Sequence, residues 1–200
     1  MHLFSISPLH RSRVLSSLVL SSLVGAMAVP AVACAQQNAP VATQPIDPTW
    51  MTFDAAAKKV TFAITAGLTP FNGALNFNGF RDGELTLVVP TAWTVVVNFV
   101  NHDGMLPHSA EVIADDGSTP LRPVGAAIQR AYTRDVETGV EAGGGKDVIR
   151  FTATPAGAYR FYCAVPGHGA AGMWIRLKVD NTVSVPRMVL SPKPATPAGQ

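Results

Sequence analysis

Cys163-Ala-Val-Pro-Gly-His168-Gly-Ala-Ala-Gly-Met173 sets a thiol, an imidazole and a thioether in one short loop. The loop lies between two strand-like runs, 158–163 and 173–179, so it reads as a turn at one end of an all-β domain. Those three residue types in that order fit a mononuclear type 1 copper site, in which one Cys sulfur and two His nitrogens form a trigonal plane and a Met sulfur sits weakly on its axis. A second His is then required. His108, in Met105-Leu-Pro-His-Ser109, leads into the apolar run 110–114 and is far enough upstream to come from another strand. The candidate ligands are His108, Cys163, His168 and Met173, with one copper per chain. Met105 competes for the axial place, although an apolar rim is its simpler use.

Counting histidines and cysteines narrows the chemistry. Of five histidines, His2 and His10 fall in a removable leader, leaving His102, His108 and His168. Once two of these hold one metal, His102 alone cannot build the all-His second centre of a copper oxidase or nitrite reductase. His102, in Asn101-His-Asp-Gly104, reads as a solvated turn residue. A binuclear copper centre would need a second cysteine in the loop, and a zinc site would leave Met173 unexplained and lack a fourth hard ligand. The chain is therefore not expected to be an enzyme.

Arg11 and Arg13 precede an apolar stretch, 14–29, and small residues follow at Ala31-Val-Ala33. This is a secretory signal pattern, placing the signal peptide at 1–33 and the mature protein in the periplasm or at the outer face of the cytoplasmic membrane. Cys34 follows directly, and cleavage before it would leave an N-terminal Cys for lipid attachment and a membrane tether. A Cys34–Cys163 disulfide would consume the thiolate the metal needs. Without Arg11 and Arg13, 13 basic residues balance 13 acidic ones. With no basic run or aromatic-studded basic stripe, nucleic acid is not an expected partner.

Residues 34–49, rich in Gln, Ala and Pro, read as a flexible spacer. The domain spans 50–180. Its runs at 59–65, 83–89 and 94–100 alternate with period two, as antiparallel strands with one buried face would. Further runs at 109–114, 148–153, 158–163 and 173–179 are rich in β-branched and aromatic residues. Seven or eight short strands imply a sandwich. Residues 115–146 lose the alternation and read as an insertion, with at best a turn or two of helix at 126–131. Residues 181–200 read as a loosely attached Pro-rich tail.

The strand series, Pro107-His108-Ser109 and the 163–173 loop together resemble the cupredoxin family of small blue copper proteins, and within it the sulfocyanins most closely. The similarity extends to Asn76-Phe-Asn-Gly79, Asn98-Phe-Val-Asn101, Phe161-Tyr-Cys-Ala-Val-Pro-Gly-His168 and Gly172-Met-Trp174. Four residues separate Cys163 from His168 and four separate His168 from Met173, as in the rusticyanin loop, whereas the plastocyanin loop has two between Cys and His. The resemblance implies a Greek-key β-sandwich with copper at one end, held by His108, Cys163, His168 and Met173, and electron transfer without substrate turnover. The insertion and tail lie outside the copper motif, so the resemblance says nothing of specific partners.

The expected function is transfer of single electrons between respiratory redox proteins, such as cytochromes or a terminal oxidase, through transient contacts by a monomer. Copper delivery or storage is the alternative, but it favours exposed Met- and His-rich ligands over a Cys-centred site. Ser109 is placed to donate a hydrogen bond toward Cys163, and Leu106 and Pro107 to form with His168 an apolar docking patch. Phe151, Tyr159, Phe161, Tyr162 and Trp174 are expected as core and flank.

Overall fold

The computed structural model describes residues 44–191, so the leader, Cys34, most of the spacer and the end of the tail lie outside the described residues. A 3-10 turn at Pro48–Trp50, capped by Asp47 accepting from the Thr49 N–H at 2.8 Å, opens the domain. Nine strands follow: β1 Met51–Asp54, β2 Lys59–Ala66, β3 Leu85–Pro90, β4 Thr94–Asn101, β5 Glu111–Ala114, β6 Lys146–Thr152, β7 Gly157–Tyr162, β8 Trp174–Asp180 and β9 Arg187–Leu190. They form two sheets, β1-β2-β4-β6 and β5-β7-β8-β3-β9. From β2 to β7 the chain changes sheet at every strand, producing the Greek-key sandwich.

Seven strands coincide with the runs read from the sequence. The two additional ones, β1 and β9, are edge strands with mostly exposed residues. Without a buried face they leave no alternating apolar pattern to read. β9 lies in the segment read as tail, where it pairs antiparallel with β3 from Leu85↔Leu190 to Val88↔Arg187. The sheets are also mixed rather than antiparallel throughout, because β2 pairs parallel with β4 and β3 parallel with β8. Alternation reports which face is buried but not the direction of the neighbour. Parallel neighbours need a crossover, supplied for β2 and β4 by the excursion through β3 in the opposite sheet.

The core lies between the sheets and runs without a break into the loop end, since Cys163 and Met173 belong to the same buried cluster as Phe62, Phe77, Phe99 and Phe161. Phe77 ties the layers together. Its ring meets Phe99 of β4 edge-on at 6.3 Å and Phe161 of β7 edge-on at 6.0 Å. The flanking asparagines of Asn76-Phe-Asn-Gly79 hold it in place. Buried Asn78 accepts from the Thr65 N–H and donates to the Ala63 carbonyl at 2.9 Å, acting as a short strand beside β2. Asn76 donates to the Thr69 and Phe71 carbonyls and accepts from the Gly79 N–H.

The insertion contains no helix. Residues 126–131 form a non-helical turn beside β5, closed by the Ala131 N–H on the Ile128 carbonyl with Arg130 at φ +66°, and pinned by Ala127 N–H donating to the Val112 carbonyl and Val112 N–H to the Ala131 carbonyl. Burial of Ile128 and Ala131 against the core outweighs the modest helix preference of the alanines. Glu111, 3% exposed, holds the segment from inside by accepting from the Val124 N–H. Burial raises its carboxyl above the ordinary 4.5, against the hydrogen bonds from Val124 and Gly125.

Two predictions follow from this packing. Phe77→Ala should lower the unfolding free energy by about 3–5 kcal/mol in chemical denaturation, because the cavity opens between both sheets. For Glu111, the folded state binds its proton more readily than the unfolded state, so the acid's contribution falls as pH rises from 4.5 through the raised value. The Tm of the wild-type protein, measured relative to Glu111→Gln, should therefore decline from acid toward neutral pH.

Candidate metal centre

The 163–173 loop continues the β7–β8 ladder. After the last strand pair, Tyr162↔Trp174, the Cys163 N–H donates to the Met173 carbonyl at 3.0 Å. Inside this closure His168 N–H donates to Val165 O, Ala171 N–H to Gly167 O, Gly172 N–H to Gly169 O and Met173 N–H to His168 O. The loop is thus a tight series of turns that carries His168 back over Cys163. Gly169 is required by packing, since a Cβ there would lie 2.0 Å from Cε1 of Tyr162.

His108 arrives from the other side, after β4 and before β5. Its backbone pairs with Val140 of the insertion, the His108 N–H donating to the Val140 carbonyl at 3.2 Å and the Val140 N–H to the His108 carbonyl at 2.7 Å. This approach depends on Gly139, with φ +81°, where an added Cβ would lie 2.9 Å from Cγ2 of Val165 and 3.0 Å from the His108 nitrogen. The insertion is therefore part of the wall of the site. It also touches the loop through Gly167 N–H to Leu121 O at 3.0 Å and the Tyr162 hydroxyl to Pro120 O at 2.8 Å.

His108 and Cys163 are fully buried, and His168 is half-buried. His168 Nδ1 lies 3.2 Å from His108 Nδ1 and 3.7 Å from Cys163 Sγ, and the three donor atoms all fall within 4.8 Å of one another. A first-row metal bonded to nitrogen at about 2.0–2.1 Å and to sulfur at about 2.3 Å, with open trigonal angles, gives edges of about the observed lengths. The three side chains fit one ion with no rearrangement of the backbone. Met173 is also fully buried, with its backbone bonded to both Cys163 and His168. Met105 is 86% exposed, and His102 is exposed and outside the His108–Cys163–His168 group.

Burial pushes the Cys163 thiol up to about 11, against hydrogen bonds from Ser109 and Val165. Burial likewise lowers both imidazoles below 6.5, opposed at His108 by Asp103 and reinforced at His168 by His108. At neutral pH the site therefore presents two neutral imidazoles and a protonated thiol. Ser109 behaves as its position suggested, with its backbone N–H directed at Cys163 Sγ at 3.5 Å. Its hydroxyl, 4.0 Å from that sulfur, donates to Val136 O at 2.7 Å and accepts from the Ala164 N–H at 3.1 Å, tying loop to insertion.

Asp103 was not among the sequence candidates. It is 8% exposed, and its Oδ2 lies 2.9 Å from His108 Nε2, the ring nitrogen that does not face Cys163 and His168. Burial alone would raise its carboxyl, but hydrogen bonds from the Met105 N–H, His108 and the Leu106 N–H more than offset this and leave it below 3.8. Its place five residues before His108, in a turn-forming Asn-His-Asp-Gly, was the available signal, and the turn reading absorbed it.

The aromatic residues take core and flanking places. Phe151, Tyr159 and Phe161 lie in the main core, while Tyr162 and Trp174 form a small second cluster with Ile113. The Arg160 guanidinium stacks on Trp174 at 4.3 Å and pairs with Asp115 at 2.5 Å. Leu121, whose carbonyl accepts from the Gly167 N–H beside the half-buried His168, is 67% exposed, and Leu106, two residues before His108, is 38% exposed.

Comparison with known proteins agrees with this architecture. Residues 48–190 match the sulfocyanin (SoxE) domain model. Sulfocyanin of Sulfolobus acidocaldarius is 29% identical over 149 residues, covering 69% of this chain and 72% of that protein. A crystal structure of a rusticyanin variant is 25% identical, with a TM-score of 0.50, covering 62% of this chain and 78% of that one. With an all-β sandwich whose loop end gathers His108, Cys163 and His168, and with the domain match spanning most of its length, the chain belongs to the sulfocyanin family, within the cupredoxin fold.

Proposed function

We propose that this protein is an exported, single-copper electron carrier, with His108, Cys163 and His168 as the strong ligands and Met173 as the axial one. It would pass single electrons between respiratory redox proteins and turn over no substrate. The observation that carries this reading is the approach of His108 Nδ1, Cys163 Sγ and His168 Nδ1 to within 4.8 Å of one another from two distant stretches of chain. Family membership supports copper over other ions, and so does a donor set of one thiol and two imidazoles, with Met173 buried in the same core cluster as Cys163. When bound, copper supplies a one-electron Cu(I)/Cu(II) couple.

The chain's own residues account for the rest of the proposed activity. β7, β8 and the His108–Val140 bridge hold the donors in one arrangement, which limits the rearrangement accompanying a change of oxidation state. Burial of Cys163 and Met173 keeps water from the sulfur side and favours retention of the ion over its delivery. The half-buried His168, with exposed Leu121 bonded to its neighbour Gly167, offers a partner a short approach through a small apolar contact. Among the described residues no helix is long and apolar enough to cross a membrane. Export, at the periplasmic or outer face of the cytoplasmic membrane, rests on the leader at 1–33, and a lipid tether would rest on Cys34.

Adding one equivalent of Cu(II) to the purified apoprotein should produce an intense blue absorption that bleaches with a mild reductant and returns on reoxidation. Cys163→Ser should lose this colour while keeping the β-type circular dichroism, and a colourless wild-type protein would refute the assignment. Loading near pH 8 should release about one proton per copper, because the thiol still holds its proton below about 11 while the imidazoles are already neutral. Titration in a weakly buffered indicator solution measures that number.

A further inference from the structure

We infer that Asp103 is the positioning residue of the centre, its carboxylate holding His108 as the Nε2–H tautomer so that Nδ1 presents its lone pair beside Cys163 and His168. This rests on the metal reading above only for the identity of the ion. Asp103 Oδ2 lies 2.9 Å from His108 Nε2, and both residues are buried. Oδ1 accepts from the Met105 N–H at 2.8 Å and the Leu106 N–H at 3.2 Å. These donors select the ionised, acceptor-only form, which leaves Nε2 as the hydrogen-bearing partner. His108 is the only cationic or titratable side chain paired with Asp103 among the described residues.

The carboxylate is held from several directions. The Asp103 N–H donates to Asn101 Oδ1 at 3.1 Å, and its carbonyl accepts from the Gly143 N–H at 2.7 Å. Fully buried Asn101 closes the loop by donating to the carbonyls of Leu106 and Val140, both at 2.9 Å. Gly67 packs against the other side, where an added Cβ would lie 2.8 Å from Asp103 Cβ. A side chain braced on backbone groups in this way fixes both the ring plane and the proton of His108. Its negative charge, passed through the imidazole, also favours the more highly charged state of a metal at Nδ1.

Asp103→Asn provides a near-isosteric test. The two backbone N–H groups of Met105 and Leu106 would claim the amide oxygen, turning the NH2 toward Nε2 of His108. The ring would then have to accept there and carry its proton on Nδ1, facing the metal position. Long-range 15N NMR of the metal-free protein should show the Nε2–H tautomer for His108 in the wild type and the Nδ1–H tautomer in D103N. Calorimetry should show Cu(II) affinity about 10–100-fold lower in the variant, and spectroelectrochemistry should show a more positive potential for any copper it retains. An Nδ1–H tautomer in the wild type, or an unchanged tautomer and affinity in a folded D103N protein, would overturn the inference. Because the wild-type tautomer is read without metal or variant, a D103N protein that fails to fold leaves that decisive measurement in place. A wild-type protein that never turns blue would count against the copper reading alone.

Discussion

The hydrogen bond from the Cys163 N–H to the Met173 carbonyl at 3.0 Å is the constraint on which the site depends. It adds one rung to the β7–β8 ladder beyond Tyr162↔Trp174, so the ends of the loop are fixed by the register of two core strands. Everything between must then turn within a short span, and the internal backbone bonds and small residues let it do so. His168 is folded back over the sulfur by backbone geometry. A slip of one residue in that register would exchange Phe161 for Tyr162 between core and outer face, and Cys163 would turn away with it.

The second half of the site is assembled from parts that carry no metal-binding chemistry of their own. Val140 pairs with the backbone of His108, Gly139 makes room for it, and Val136 takes the Ser109 hydroxyl. The Gly143–Gly145 backbone bonds to Asn101 and Asp103. What the sequence presents as an insertion between strands is the brace that aligns one donor with the other two. Its exposed Leu121, bonded through its carbonyl to Gly167, also places apolar surface beside the copper-loop turn.

The site was legible to the extent that its chemistry is local. Cys163, His168 and Met173 share one loop, and the missing imidazole had a single good source once His102 was read as solvated. Strands with one buried face were legible for the same reason, since burial writes a period of two into β2 and β4. β1 and β9 bury almost nothing and wrote no such pattern. The single turn at residues 126–131 was hidden because its anchoring hydrogen bonds run to Val112 of β5, and a run with three alanines carries no signal of that distant partner.

The sequence by itself determined the donor types, their spacing, the all-β class and the family resemblance, because these follow from side-chain chemistry and from periodicities a few residues long. Tertiary structure decided which strands run parallel, that residues 115–146 wall the site, and that Asp103 stands behind His108 at 2.9 Å. The physical reason is that each of these is a relation between groups brought together only when the sheets close. An aspartate in a turn is the same aspartate in sequence whether it faces water or a buried imidazole. The packing of Gly67, Asn101 and Gly143 around it makes the difference.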